Sequence, residues 1–296
     1  MNRKFLMPTN NSISNLKTVK APTTPAMSAT LKAVVAAVKL VGAEEIMPRY
    51  MKVAHQHKND GSLCTEADMV VQEVLTRKLQ AISNVPVLGE EMSVAQQEAL
   101  WGDGSQTMWC VDPIDGTSNF VHGLPCFAIS VALIRDGKSV LGVVYDPVAK
   151  EAFAAEQGRG AFLNGVKLQG LTAVSSLSHA LANVDLKRLE SRLVSELVKH
   201  PPYSSQRNFG ASSLDWCYTA AGRYDVYLHG GQKLWDYAAG SLILQEAGGH
   251  VCSLDNDEFS QGGVWQRSVV AALDAGLFAE WKSWLRKHSG QAERRK

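Results

Sequence analysis

A chain of 296 residues, 45% hydrophobic and 20% charged, can bury a large core as one broad domain or two smaller ones. Its 30 Lys and Arg nearly balance 29 Asp and Glu, and a net charge of +1 leaves no electrostatic footprint for nucleic acid or an anionic membrane surface. No apolar run is long enough to span a bilayer, and five scattered cysteines without a C-x-x-C pair argue against zinc knuckles and disulfides and for a reducing, cytoplasmic setting.

Residues 1–27 carry Lys and Arg but no Asp or Glu and are rich in Asn, Ser, Thr and Pro, which reads as a disordered extension or an upstream start ahead of Met27. Over residues 30–50, Leu31, Val34, Val35, Val38 and Ile46 recur at helical spacing. Thr65-Glu66-Ala67-Asp68 forms a capping box that opens a second helix, with Val70, Val71, Val74, Leu75 and Ile82 along it. Strands follow. Residues 85–88 end at Gly89-Glu90-Glu91, and residues 107–111 end at Asp112. Residues 127–134 and 140–145 flank Asp136-Gly137, a hairpin signal, and residues 152–155 extend that sheet to a Gly158-Arg159-Gly160 turn.

Further on, the pattern predicts a strand over 180–184, a helix over 186–199 stopped by Pro201-Pro202, and a helix over 212–221. A strand over 225–228, a helix over 235–247 ended by Gly248-Gly249, a strand over 269–273 and a Trp-containing terminal helix complete the chain. This alternation predicts a layered α+β fold. We divide it into an N-terminal α+β part over 28–175, a C-terminal α/β part over 176–290 and a frayed tail over 291–296.

The acidic residues fall where strands end. Glu90 and Glu91 follow one apolar strand and Asp112 and Asp115 the next, positions that converge on the usual ligand crevice of layered α/β folds. In Asp112-Pro113-Ile114-Asp115-Gly116-Thr117, Pro113 stiffens the strand exit and Gly116 permits a tight turn. Clustered carboxylates repel one another unless a cation neutralises them. Oxygen donors without paired cysteines or an H-E-x-x-H helix suit Mg²⁺ or Mn²⁺, and a Mg²⁺ site keeps open positions for substrate phosphate. That directs the reading to phosphoryl chemistry. Taken singly, Asp112, Asp115 and Asp236 could each cap a helix, and Asp68 could simply complete its capping box.

Gly89-Glu90-Glu91, Asp112-Pro113-Ile114-Asp115-Gly116-Thr117-Ser118-Asn119-Phe120 and Trp235-Asp236-Tyr237-Ala238-Ala239-Gly240 resemble, in order, the three signature segments of the inositol monophosphatase family. Thr65-Glu66-Ala67-Asp68 and Gly158-Arg159-Gly160-Ala161-Phe162-Leu163-Asn164-Gly165 are similar to its supporting segments, and the resemblance covers residues from about 30 to 275. It implies a layered αβαβα sandwich and a lithium-sensitive phosphomonoesterase, a cytoplasmic homodimer acting on a small phosphorylated metabolite. It implies about two or three Mg²⁺ ions, with Mn²⁺ a substitute. Their ligands would be Glu90, Asp112, Asp115, Asp236 and the Ile114 carbonyl, with Asp68 outermost. Glu90 and Thr117, with Asp112, would form the catalytic set that activates a water. Gly116 and Thr117 would offer N–H groups to the phosphate. Gly210-Ala211-Ser212 is similar to the family's loop facing the alcohol, a side to which Asp236 also contributes.

At position 229, inositol-hydrolysing members tend to carry a glutamate, whereas this chain has His229. A histidine there is expected to face the alcohol, to hold a cyclic polyol less well and to favour an additional anionic group. The expected reaction is hydrolysis of an inositol monophosphate-like ester. The alternative is the same chemistry on fructose 1,6-bisphosphate, histidinol phosphate or a 3′-phosphonucleotide such as adenosine 3′,5′-bisphosphate. A non-catalytic regulator binding protein or RNA ranks last, because no expected ligand is missing.

Overall fold

The computed structural model describes residues 26–52, 55–57, 63–170 and 176–289. Most of the expected extension, residues 171–175 ahead of the expected division, and the tail 291–296 lie outside the described residues.

Helix α1 (Ala29–Val41) starts on Ser28, whose hydroxyl accepts from the Leu31 N–H at 3.1 Å, and it buries Leu31, Val34, Val38 and Val41 along one stripe. It does not continue as an α-helix to Tyr50; Gly42–Ile46 form a π-helical turn. A hairpin of β1 (His55–His57) and β2 (Leu63–Thr65) leads into α2 (Glu66–Ile82), which opens on the expected Thr65/Asp68 capping box.

Next come β3 (Val87–Gly89), α3 (Val94–Trp101), β4 (Met108–Asp115), α4 (Thr117–His122), β5 (Ala128–Arg135), β6 (Lys138–Asp146), β7 (Glu151–Glu156), β8 (Gly160–Leu163) and β9 (Val166–Lys167). These seven strands make one sheet in sequence order, β3 parallel to β4 and every later pair antiparallel. The β5–β6 hairpin turns on Asp136 and Gly137, at φ 49° and 68°, as the pair predicts.

The second sheet uses the rest of the chain: β10 (Leu181–Asp185), α5 (Ser191–Lys199), β11 (Ser205–Arg207), α6 (Ser212–Ala220), β12 (Val226–Gln232), α7 (Leu234–Glu246), β13 (His250–Cys252), β14 (Arg267–Ala272) and α8 (Ala275–His288). Its order is β11-β10-β12-β14-β13, with β10 parallel to β11 and β12 and β14 antiparallel to its two neighbours. Helix α5 begins later than the apolar pattern predicts. The Asp185 carboxylate accepts the Lys187 N–H at 2.7 Å and Arg188 turns left-handed at φ 63°, and the two together interrupt any earlier helix.

Alternation along the strands sorts side chains among three cores. On β4, Trp109 and Val111 pack with α1 and α2, whereas Met108 and Cys110 pack with α6 and α7. On β12, Tyr227 joins that middle core, and Val226 and Leu228 join α5 and α8. The stack is helix, sheet, helix, sheet, helix, the αβαβα sandwich that the resemblance implies.

Helix α7 lies in the middle layer and is buried on nearly every side. Where it crosses α6, a Cβ on Gly240 would lie 2.5 Å from the Cβ of the fully buried Trp216. Gly240→Ala is therefore expected to cost about 1–3 kcal/mol by overpacking. A lower denaturant midpoint at unchanged slope would bear this out; an unshifted midpoint would show that the helices have slack.

Candidate functional site

Two strand ends and a helix start meet beside the middle layer. Strand β4 runs past Asp112 and through Pro113 to Asp115, and its register against β5 is irregular between those two acids. Proline removes one ladder donor there, which frees the strand to bend. Asp112 Oδ1 accepts the Ile114 N–H at 3.1 Å. Asp115 accepts the N–H of Ser212 at 3.2 Å and both the N–H and the hydroxyl of Ser213, at 2.7 and 2.5 Å. Helix α6 has Ala211 at its cap position, so Asp115 supplies from across the crevice the acceptor that this helix start lacks. Asp236 stands in the first turn of α7 and accepts the Lys233 N–H at 2.8 Å.

One carboxylate oxygen each from Asp112, Asp115 and Asp236 lies within 4.8 Å of the others. Glu90, just beyond β3, lies beside Asp112, and its charge helps to raise that carboxyl. Asp112 is 2% exposed and Asp115 7%. Burial, reinforced by the neighbouring acids, pushes Asp112 and Asp236 well above the usual carboxylate range. Burial also raises Asp115, but its bonds from Ser213 restrain the rise to about 6.

Among the described residues, no Lys or Arg forms an ion pair with Asp112, Asp115 or Asp236. A buried cluster of like charges is neutral only with bound protons or a bound cation, and its oxygen donors fit a hard divalent ion. Capping alone does not account for this arrangement. Only Asp236 bonds to the N-terminus of its own helix, and that engages one of its two oxygens.

Gly116 follows Asp115 at φ 86°, where a Cβ would come within 2.9 Å of the Cys126 carbonyl. This is a position that glycine alone fills without strain. Thr117 opens α4, and its hydroxyl donates to the Ile114 carbonyl at 3.0 Å and lies 3.5 Å from Asp68 Oδ1. Asp68 is fully buried and takes the N–H and hydroxyl of Thr65 on Oδ2, at 2.7 and 2.6 Å. Burial carries it up to about 6. One oxygen thus completes the capping box, and the other faces Thr117.

The alcohol-side residues are arranged differently from expectation. The Ser212 N–H is taken by Asp115, which leaves the Ser212 hydroxyl to face a substrate. Gly210 donates its N–H to Asn208 Oδ1 at 3.0 Å, and Ala211 is buried. His229 corrects the sequence-based expectation outright. It is 3% exposed, its Nδ1 accepts from the Gly231 N–H at 3.1 Å, and its Nε2 lies 3.5 Å from Asp185 Oδ2. Burial lowers it to about 4, so it is neutral near pH 7 with both ring nitrogens engaged. It neither offers an acceptor to a polyol nor attracts an anion by its own charge.

Other residues hold the site without having been singled out. Gln97 Nε2 donates to the carbonyls of Gly89 and Glu90, at 3.0 and 3.2 Å, and Gln72 Oε1 accepts the Glu91 N–H at 3.0 Å. Asn119 Nδ2 bridges the carbonyls of Cys126 and Phe209, both at 2.6 Å, and so ties α4 to the loop before α6. Asn119 and Ser213 lie in or beside recognised segments. Gln97 has no such signal: it is a buried polar residue on a short helix whose Leu100 and Trp101 pack against the middle core.

The sequence model of the inositol monophosphatase family matches residues 26–289. An inositol-1-monophosphatase of Mesorhizobium japonicum is 33% identical over 244 residues, 75% of this chain and 86% of that protein. A protein of Pseudomonas aeruginosa named Nus factor SuhB is 36% identical over 220 residues, 71% of this chain and 80% of its own. Among solved structures, the extragenic suppressor protein SuhB of Bartonella henselae superposes with a TM-score of 0.75 at 29% identity, covering 88% of this chain and 99% of that one. From Gly89-Glu90-Glu91 to Trp235-Asp236, the chain belongs to the inositol monophosphatase family.

Proposed function

We propose that this protein is a Mg²⁺-dependent phosphomonoesterase that releases phosphate from a small polar alcohol, an inositol monophosphate-like metabolite or a relative of it. The observation that carries the reading is the meeting of Asp112, Asp115 and Asp236, the first two buried and the third half-buried, with no Lys or Arg paired to them among the described residues, beside the Gly116-Thr117 turn. Glu90, Asp112, Asp115, Asp236 and the Ile114 carbonyl would hold about two or three Mg²⁺ ions, with Asp68 outermost and Mn²⁺ a substitute. Bound there, the ions would neutralise the acids and supply Lewis acidity toward the phosphate and water.

The chain's own groups account for the remaining steps. The N–H groups of Gly116 and Thr117, where α4 begins and intrahelical acceptors are missing, would receive phosphate oxygens. The Thr117 hydroxyl, fixed on Ile114 and near Asp68, would orient the attacking water, and Glu90 would take its proton. The Ser212 hydroxyl would face the leaving alcohol. Lithium inhibition, a homodimeric state and a cytoplasmic location, all implied by the resemblance, belong to the same proposal; no helix of the described residues is long and apolar enough to cross a membrane.

Phosphate release with Mg²⁺ across inositol phosphates, sugar phosphates, histidinol phosphate and 3′-phosphonucleotides tests the proposal. Release from at least one class, lost in excess chelator, is expected. Full turnover in chelator would overturn the metal reading, and no release from any class would overturn the phosphatase reading.

A further inference from the structure

The acids of the cluster differ in how far the fold already uses them. A carboxylate has about four lone-pair positions, two on each oxygen. One backbone N–H reaches Asp112, from Ile114 at 3.1 Å on Oδ1, and one reaches Asp236, from Lys233 at 2.8 Å on Oδ2. Asp115 receives three donors. The Ser212 N–H lies 3.2 Å from Oδ1, and the N–H and hydroxyl of Ser213 both reach Oδ2, at 2.7 and 2.5 Å. Oδ2 is therefore filled, and Oδ1 keeps one position open.

Helix capping accounts for two of these bonds and leaves the third over. Helix α6 starts at Ser212 behind Ala211, which has no side-chain acceptor, so its first N–H groups turn to Asp115 across the crevice. An alanine at 213 would keep both of those bonds. The hydroxyl is an addition. Ser213 is fully buried, and its hydroxyl bonds to Asp115 alone among the described residues. Asp68 shows the ordinary form of such a pair. Thr65 gives its N–H and hydroxyl to Asp68 Oδ2, at 2.7 and 2.6 Å, but there the acid stands in the same helix start and closes a capping box. Asp115 and Ser213 stand on different elements, β4 and α6, so the hydroxyl fixes the carboxylate of one against the frame of the other.

The two common hard cations make different demands on a carboxylate. Ca²⁺ gathers about six to eight oxygens in a loose shell and readily takes both oxygens of one acid. Mg²⁺ requires a near-octahedral shell, which the narrow bite of a chelating carboxylate does not fit. Resting on the proposed Mg²⁺-dependent reading, we infer that Ser213 is a positioning residue that selects the cation: by closing Asp115 Oδ2 it limits this acid to a single donor oxygen and so favours Mg²⁺ over Ca²⁺. Bonds of this kind, made to the back of a ligand, hold its plane and tune its strength as a donor.

Calorimetric titration of chelator-stripped protein with MgCl₂ and with CaCl₂ tests this without recourse to turnover. Wild type should hold Mg²⁺ more tightly than Ca²⁺. Ser213→Ala removes the hydroxyl and keeps both N–H bonds. In that variant the ratio of Mg²⁺ to Ca²⁺ affinity should fall about tenfold or more, the size of effect that losing a hydrogen bond behind a metal ligand usually has. Ser213→Cys keeps most of the side-chain volume with only a weak donor and should shift the ratio the same way. It separates the hydroxyl from packing, and it gives the answer by itself if the alanine variant folds poorly. An unchanged ratio, an equal change in both affinities, a shift in the alanine variant alone, or a wild-type preference for Ca²⁺ would each overturn the inference and leave Ser213 a helix-start residue. Wild type that binds neither ion is a different result, which overturns the metal reading and the inference with it.

Discussion

Asp112→Asn and Asp236→Asn are expected to lower turnover on the order of 10²-fold or more, while raising the melting temperature of the metal-free protein near pH 7.5. Both effects come from one cause. Each carboxylate lies among other acids, Asp112 buried and Asp236 half-buried, and is pushed well above its ordinary range, so its charged form destabilises the empty site. An asparagine removes that charge at nearly the same volume. It also keeps the backbone N–H bond each acid accepts, because a carbonyl oxygen can still accept from Ile114 or Lys233.

Asp115→Asn should behave differently. Its two oxygens both accept, from Ser212 on one side and Ser213 on the other, so an amide would turn an NH₂ group toward an N–H donor. Turnover should fall there too, but stability should fall with it. Thermal melts in chelator and phosphate release in Mg²⁺, measured on the three variants, check both halves. Near wild-type turnover in Asp112→Asn or Asp236→Asn would remove that residue from the proposed ligand set. A drop in their metal-free melting temperature would show that the acids are not strained by one another.

The acids themselves were legible because the segments carrying them are short and continuous, from Asp112 to Phe120 and from Trp235 to Gly240. Capping boxes, the Asp136-Gly137 hairpin and the apolar stripes of α1 and α2 are also local, and they place most elements within a few residues. What failed depends on contacts distant in sequence. Nothing near Ser213 announces that it will donate to Asp115, and Gln97 belongs to a helix with no apolar period. The pattern Leu186, Leu189, Leu193, Leu197 reads as one helix, yet Asp185 and Arg188 break it because their partners lie on the turn and on β12. His229 shows the same limit. Its residue type suggested a polar reader of substrate, and only packing reveals that Asp185 and Gly231 already occupy both nitrogens.

The same electrostatics fix how stability should vary with pH, and in which direction. Asp68 and Asp115 rise to about 6 on burial, and Asp112 and Asp236 are also raised well above the usual carboxylate range. An acid whose folded pKa is raised binds more protons in the folded chain than in the unfolded one. Its contribution is therefore complete below the unfolded value, near 4, and is lost as pH climbs through the folded one. His229 works against this trend. Its folded value is lowered to about 4, so its contribution is present above the unfolded value near 6.5 and lost as pH falls toward 4. Six raised aspartates, Asp146 and Asp215 among them, outweigh one lowered imidazole, and each net proton changes stability by about 1.4 kcal/mol per pH unit. Metal-free protein is thus expected to be more stable at pH 5.5 than at pH 7.5, by a few kcal/mol in order of magnitude. Added Mg²⁺ should reverse the order, because the ion competes with those protons and its stabilisation grows as the acids ionise. Urea midpoints at the two pH values, with chelator and with Mg²⁺, give all four points of the comparison. Metal-free protein that is weaker at pH 5.5, or a Mg²⁺ gain that is larger there, would mean that the buried acids are not what the ion neutralises.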